Sequence, residues 1–312
     1  MTKLLAPLAL LALATPALAA DPAPSPALAP SEIVAAAPKA EWVAISASDL
    51  LVMDLAVDST GKPRRVVIQL MPPPFSQGWI GNIRKLAAAH WWDGLSINRV
   101  QDNYVAQWGD ADGDDKVKAR ALPDGLTVVP ESAYVLQSFE QPDVGGGFTL
   151  YAPTKDTYAL GTIHWEGWPI AGDSRTNWPV HCYGMVGVGR NLSPDTGSGT
   201  ELYTVIGHAP RHLDRNIALV GRVIEGIEHL SSLPRGTGAL GFYETPEERT
   251  AITSIRLGNE VPALPAYEYL STESATFARY ADARANRRDP FFIKPAGGAD
   301  ICNIPVPVRR VK

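Results

Sequence analysis

The chain has 312 residues and is 45% hydrophobic, enough for a sizeable core in one large domain or two small ones. Its 27 prolines and 27 glycines mark it as rich in loops. A net charge of -5 provides no basic footprint, which argues against a nucleic-acid partner.

Lys3, the uncharged run Leu4 to Ala14 and the small-x-small triplet Ala17-Leu18-Ala19 have the form of a secretory signal peptide over residues 1–19. The run is shorter than the roughly 20 apolar residues of a membrane span. Cleavage is expected to leave Ala20 as the mature N-terminus, in the periplasm or secreted; the alternative is an uncleaved anchor. No later segment is long and apolar enough to cross a membrane. Residues 20–45 open with an Ala/Pro-rich stretch that buries little and reads as a linker.

Leu50 to Val57 reads as a strand, Ser59 to Pro63 as a turn and Arg65 to Leu70 as a second strand, forming a hairpin. Pro72-Pro73-Pro74 ends it. A helix is predicted over about 75–90, with Trp79, Ile80, Ile83 and Leu86 on one stripe. Ser96 to Gln107 reads as two short strands around Asp102-Asn103. Residues 110–180 hold many turn signals and little period. Strands follow at 185–189, 201–206 and 217–223, then a short helix at 224–233. Many short strands with two helices point to a closed barrel rather than a βαβ sheet. Beyond residue 240, Ser271 is predicted to cap a helix reaching Asn286, with Phe277, Tyr280 and Ala281 on one face.

The two cysteines, Cys182 and Cys302, are expected to pair in an oxidising compartment; the alternative is two separate buried thiols. No metal site is expected. Asp110, Asp112, Asp114 and Asp115 resemble a calcium loop, but the sixth position is Asp115 instead of Gly and the twelfth is Ala121 instead of Glu. His208, His212 and Asp214 are better explained as part of the barrel. His181 and Cys182 adjoin in sequence, which does not make a nucleophile–base pair.

In order, four segments resemble the cyclophilin family of peptidyl-prolyl cis/trans isomerases: the opening hairpin with its Pro-rich turn and helix, WWDGLSINRVQDNYVAQWGD at 91–110, GVGRNLSPDTGSGTELYTVIG at 187–207, and HLDRNIALVGRVIEGIEHL at 212–230. The resemblance implies a mainly β fold, a closed eight-stranded barrel capped by two helices. It places a cyclophilin-like domain at 46–239, with a long insertion at about 111–181 and a C-terminal helical extension at 240–312. It puts Arg99 at the catalytic position. Tyr104, Val105, Gln107, Val188, Glu201, Tyr203, His212, Leu213 and Ile217 take substrate-binding positions. Glu201 stands where the family usually has Gln, and either pairs with Arg99 or holds the peptide. Trp108 and Val220 also depart from the pattern, and Tyr203 adds a hydroxyl to the pocket.

The implied function is isomerisation of X–Pro bonds, assisting the folding of exported proteins, without a cofactor. The partners would be proline-containing polypeptide clients; the oligomeric state is left open. The alternatives are a barrel that binds proline segments as a chaperone or scaffold with little turnover, and a structural protein whose insertion covers the groove.

Overall fold

The computed structural model describes residues 26–137 and 156–311. The signal peptide expected over 1–19 lies outside them. The elements are α1 (Pro30–Ala35), β1 (Trp42–Ile45), β2 (Leu50–Leu55), β3 (Arg64–Leu70), α2 (Gln77–Ala88), β4 (Ser96–Val100) and β5 (Val105–Gly109). Then come β6 (Leu136–Gln137), β7 (Gly161–Trp165), β8 (Trp168–Gly172), β9 (Thr176–Pro179), β10 (Met185–Val188), β11 (Leu202–Val205) and β12 (Leu219–Glu225). The chain ends through α3 (Glu228–Ser231), β13 (Thr250–Leu257), β14 (Tyr267–Leu270), α4 (Ala275–Ala285) and β15 (Val308–Arg310).

Eight strands close a barrel in the order β10-β11-β5-β4-β13-β2-β3-β12. The hairpin β2–β3 is apolar on both faces, and the structure gives the reason. Leu51, Met53, Leu55, Val66, Ile68 and Leu70 fill the barrel. Leu50 and Val67 point outward and are covered by Ile45 and Tyr267. Trp79, Ile80, Ile83 and Leu86 of α2 join the same barrel core, as their spacing predicts.

Three sequence-based boundaries shift. The barrel does not end at 239: β13 pairs with β2 and β4 and completes it. The linker expected over 20–45 is structured from Pro30 onward. There β1 pairs with β14, and Ile33 and Val34 of α1 pack against the cluster of Trp42, Leu270, Phe277 and Tyr280. The C-terminal helix is capped by Ser274, whose hydroxyl accepts the Phe277 N–H at 3.0 Å, and not by Ser271.

The insertion forms a four-stranded sheet, β6-β9-β8-β7, that the turn-rich sequence did not disclose. Trp168, Ile170, Trp178 and Val180 drive it into the barrel core. Buried Arg222 on β12 clamps it: its guanidinium donates to Gln69 Oε1 at 2.7 and 2.9 Å and to the Gly167 carbonyl at 2.6 Å. Cys182 and Cys302 are disulfide-bonded with Cα atoms 5.0 Å apart, joining the end of the insertion to the C-terminal extension. The alternative of separate thiols is thereby excluded. Among the described residues no helix is long and apolar enough to cross a membrane.

Candidate active site

The site is built on one cross-strand row. Arg99 on β4 lies opposite Gln107 on β5, Gln107 opposite Tyr203 on β11, and Tyr203 opposite Gly187 on β10. Residues directly opposite in antiparallel strands share a face, so Arg99, Gln107 and Tyr203 project together. The register of β4 against β5 slips between Ile97 and Arg99, a bulge that re-aims the arginine. Gly187 is required by its neighbour: a Cβ there would lie 2.3 Å from the Tyr203 hydroxyl and 2.4 Å from its ring.

Arg99 is half-buried, and this burial lowers its pKa from the ordinary arginine value. Its Nε donates to the Leu240 carbonyl at 2.8 Å and its Nη1 to Gln107 Oε1 at 3.1 Å. Its Nη2 donates to Gln101 Oε1. Each terminal nitrogen carries a second N–H, and among the described residues none is seen to take either of them. The guanidinium carbon lies 5.7 Å from the Tyr104 ring centre and 5.2 Å from that of Phe242.

Beside Arg99, Val105, Tyr203 and Val205 form an apolar cluster with Tyr104, Leu213 and Ile217 packed on it. Arg99, Tyr104, Val105, Gln107, Glu201, Tyr203 and Ile217 line one groove of about 820 Å³. His212 stands at the rim, exposed, its ring stacked on Tyr104 with centroids 6.4 Å apart.

Glu201 does not pair with Arg99. Gln107 stands between them: it accepts from Arg99 and donates through Nε2 to Glu201 Oε2 at 3.3 Å. Burial raises the Glu201 pKa to about 7, against the opposing hydrogen bonds of Gln107, Asn98 and the Asp110 backbone. Val188 is a second correction. It sits one residue off the row, so its side chain turns to the opposite face and is buried in the barrel core.

A second polar assembly underlies the pocket. The Tyr203 hydroxyl meets His181 Nε2 at 2.9 Å, and His181 Nδ1 meets Asp214 Oδ1 at 2.8 Å. Asp214 Oδ2 accepts from Arg211 Nε at 2.7 Å, and Arg211 forks onto Asp156 at 2.9 and 3.0 Å. The hydroxyl added by Tyr203 is therefore partnered. Burial lowers the His181 pKa and raises that of Tyr203. Burial also pushes Asp214 upward, but its bonds to His181 and Arg211 outweigh this and hold it below the usual carboxylate range. A neutral imidazole facing that carboxylate carries its proton on Nδ1, so Nε2 accepts from Tyr203. Thus Asp214 serves a buried network, not a metal.

The acidic loop is equally self-contained. Asp110 accepts the backbone N–H groups of Asp112 and Arg120, and Asp115 those of Val117 and Lys118. Among the described residues no group of three or more His, Cys, Asp or Glu is arranged to hold a metal ion. Ala111, Gly113, Asp114, Ala119, Arg120 and Leu122, at the start of the insertion, form part of the groove wall. Leu240, Phe242 and Tyr243 also line it. Sequence reasoning missed these three, because nothing local marks a loop 141 residues from its partner, the Leu240 carbonyl to Arg99.

Comparison with known proteins agrees with this geometry. Residues 57–257 match the family described as Cyclophilin type peptidyl-prolyl cis-trans isomerase/CLD, and the chain belongs to that family. No curated protein matches the sequence. Among solved structures, the cyclophilin AquaCyp293 from Hirschia baltica is similar, with a TM-score of 0.64 at 20% identity over 87% of this chain and 94% of that one. A cyclophilin type peptidyl-prolyl cis-trans isomerase of Cryptosporidium parvum, crystallised with the dipeptide Ala-Pro, matches at a TM-score of 0.38 and 12% identity, over 66% of this chain and 98% of that one.

Proposed function

We propose that the groove beside Arg99 rotates X–Pro bonds in exported polypeptides, without a cofactor. The observation that carries this is an arginine with two N–H groups to spare at the edge of an apolar pocket of proline-compatible character. Rotation about a peptide bond meets a barrier of about 18–20 kcal/mol because the C–N bond has partial double-bond character. No bond has to break. In the twisted state the proline nitrogen becomes pyramidal and gains a lone pair. An N–H of Arg99 donates to that lone pair, which the planar ground state lacks. An interaction stronger in the twisted state than in the planar one lowers the barrier.

Tyr104, Val105, Tyr203 and Leu213 would seat the proline ring. Gln107 orients the guanidinium by accepting from it. An oxidising compartment for the clients is supported by the Cys182–Cys302 bond, since such bonds persist mainly in exported proteins. NMR exchange spectroscopy on an X–Pro peptide tests the reading. Faster cis/trans exchange with the wild type and not with Arg99→Ala is expected. Peptide binding without faster exchange would identify a holding module instead.

A further inference from the structure

We propose that Leu240 and Phe242 form a subsite, adjoining Arg99, for a bulky apolar side chain flanking the client's proline. This rests on the isomerase reading of the groove and names what that groove selects.

The segment Gly236–Glu244 has no helical or strand period, yet it is tied to the barrel by backbone bonds. β13 pairs only with Ser96 and Ile97 of β4. The rest of that edge is taken by the loop: Gly236 N–H donates to the Val100 carbonyl at 2.9 Å, and Tyr243 N–H to the Asn98 carbonyl at 3.0 Å. Gly241, at φ +80°, passes so close to β4 that a Cβ would lie 2.7 Å from Gln101 Cα. The loop is thus a fixed wall.

On this wall Leu240 adopts φ +56°, the left-handed region that disfavours a leucine. The conformation brings its carbonyl to Arg99 Nε. Glycine would supply the same carbonyl without strain, so the side chain is what needs explaining. Core packing does not explain it: the residue is 67% exposed, and Phe242 is 40% exposed. Strain retained without packing gain is a mark of function. Both residues line the groove, and Arg99 pairs in an isolated bridge with Phe242.

The occupant follows from position. The guanidinium carbon is 5.7 Å from the Tyr104 ring and 5.2 Å from the Phe242 ring. An extended peptide rises ~3.3–3.6 Å per residue. With the proline against Tyr104, a residue within about three positions of it reaches Phe242. An apolar side chain there removes water from Leu240 and Phe242, whereas serine does not.

The test is calorimetric titration with two heptapeptides that are identical except for leucine or serine at the three positions on either side of the proline. The wild type is expected to bind the leucine peptide about tenfold more tightly. The double variant Leu240→Gly, Phe242→Ser should bring that ratio close to one. A ratio near one in the wild type, or an undiminished ratio in the variant, overturns the proposal. Should the variant not fold, saturation-transfer NMR on the wild type decides it: transfer between the peptide's leucine methyls and the Phe242 ring is expected, and its absence overturns the subsite. Affinity is read without turnover. A protein that prefers the leucine peptide but does not speed its isomerisation therefore refutes the isomerase reading and leaves the subsite standing.

Discussion

Two polar assemblies flank the same apolar pocket, and they differ in whether their hydrogen bonds are used up. On the groove side, Arg99, Gln107 and Glu201 form a short chain that ends with guanidinium N–H groups to spare. Beneath the pocket, Tyr203, His181, Asp214, Arg211 and Asp156 form a longer chain in which each link is engaged and nearly all water is excluded. Residue types are similar on both sides. What separates a working group from a supporting one is the unfilled donor, because only that can respond when a substrate changes shape. The closed chain holds Tyr203 in the apolar cluster beside Arg99, the wall of the proposed proline pocket.

The closed side should therefore answer to stability measurements and the open side to rates. The largest expected effect comes from Cys302→Ser. The bond spans 120 residues of sequence. The chain-entropy model gives such a loop about 4–5 kcal/mol. His181 is adjacent to one end and its carbonyl lies 3.9 Å from Cys302 Sγ. Urea unfolding should report the loss, with kcat/KM of the folded protein changing less than tenfold. Asp214→Ala comes next. It leaves a buried arginine with one partner fewer and a buried imidazole without its acceptor, a loss of about 3–5 kcal/mol. If the denaturation midpoint hardly moves, the network is ornamental to the fold and the contrast drawn above is wrong.

Arg99→Ala should behave in the opposite way. Removing a donor aimed at a charge or lone pair that develops in the transition state costs about 10²–10³-fold in rate. Its charge is half-buried and its three hydrogen bonds go to loop and side-chain acceptors, so the melting temperature should shift little. A protease-coupled assay beside a thermal melt separates the two readouts. Equal losses in both would make Arg99 a structural residue.

How much of this was legible beforehand follows the same physics. The strand Arg65 to Leu70 could be read from its run of β-branched residues, which suits a strand buried on both faces. The order of motifs singled out Arg99, Gln107, Glu201 and Tyr203, and the fold brings these four to one groove. The face of Val188 could not be read: glycines on both sides remove the alternation that fixes register. The sheet β6-β9-β8-β7 was hidden by its Pro and Gly content, since its strands pair with one another and are held by tryptophans rather than by a period. The pairing of His181 with Asp214 spans 33 residues and has no motif. The strand Thr250–Leu257 carries no clean alternation in TAITSIRL: Ile252 and Ile255 are both buried although three positions apart, because the register against β2 slips between Ile252 and Ser254, and the domain was closed at 239.

Glu201 gives the smallest effect and the sharpest test, because it sits on the open side yet is largely buried. Its pKa is raised from 4.5 to about 7 by burial. A carboxyl whose folded pKa lies above its unfolded value binds its proton more tightly when folded. Its contribution to stability is therefore fully present below about pH 4.5 and is lost as the pH rises through about 7. Allowing for its partial exposure, the loss is about 1–2 kcal/mol. Other groups titrate in this window, so the quantity to measure is the difference between the wild type and Glu201→Gln in urea midpoint from pH 5 to 8.5. The wild type should fall relative to the variant between about pH 5 and 7 and run level with it above about pH 7. The same ionisation acts on the groove through Gln107, which bonds both Glu201 and Arg99. An ionised Glu201 holds the Gln107 amide more firmly and so fixes the orientation of its Oε1 toward Arg99. kcat/KM should then rise a few-fold from pH 6 to pH 8 in the wild type and stay level in Glu201→Gln. A rate profile that is identical in the two proteins would mean that the carboxylate shapes the groove without speaking to the arginine.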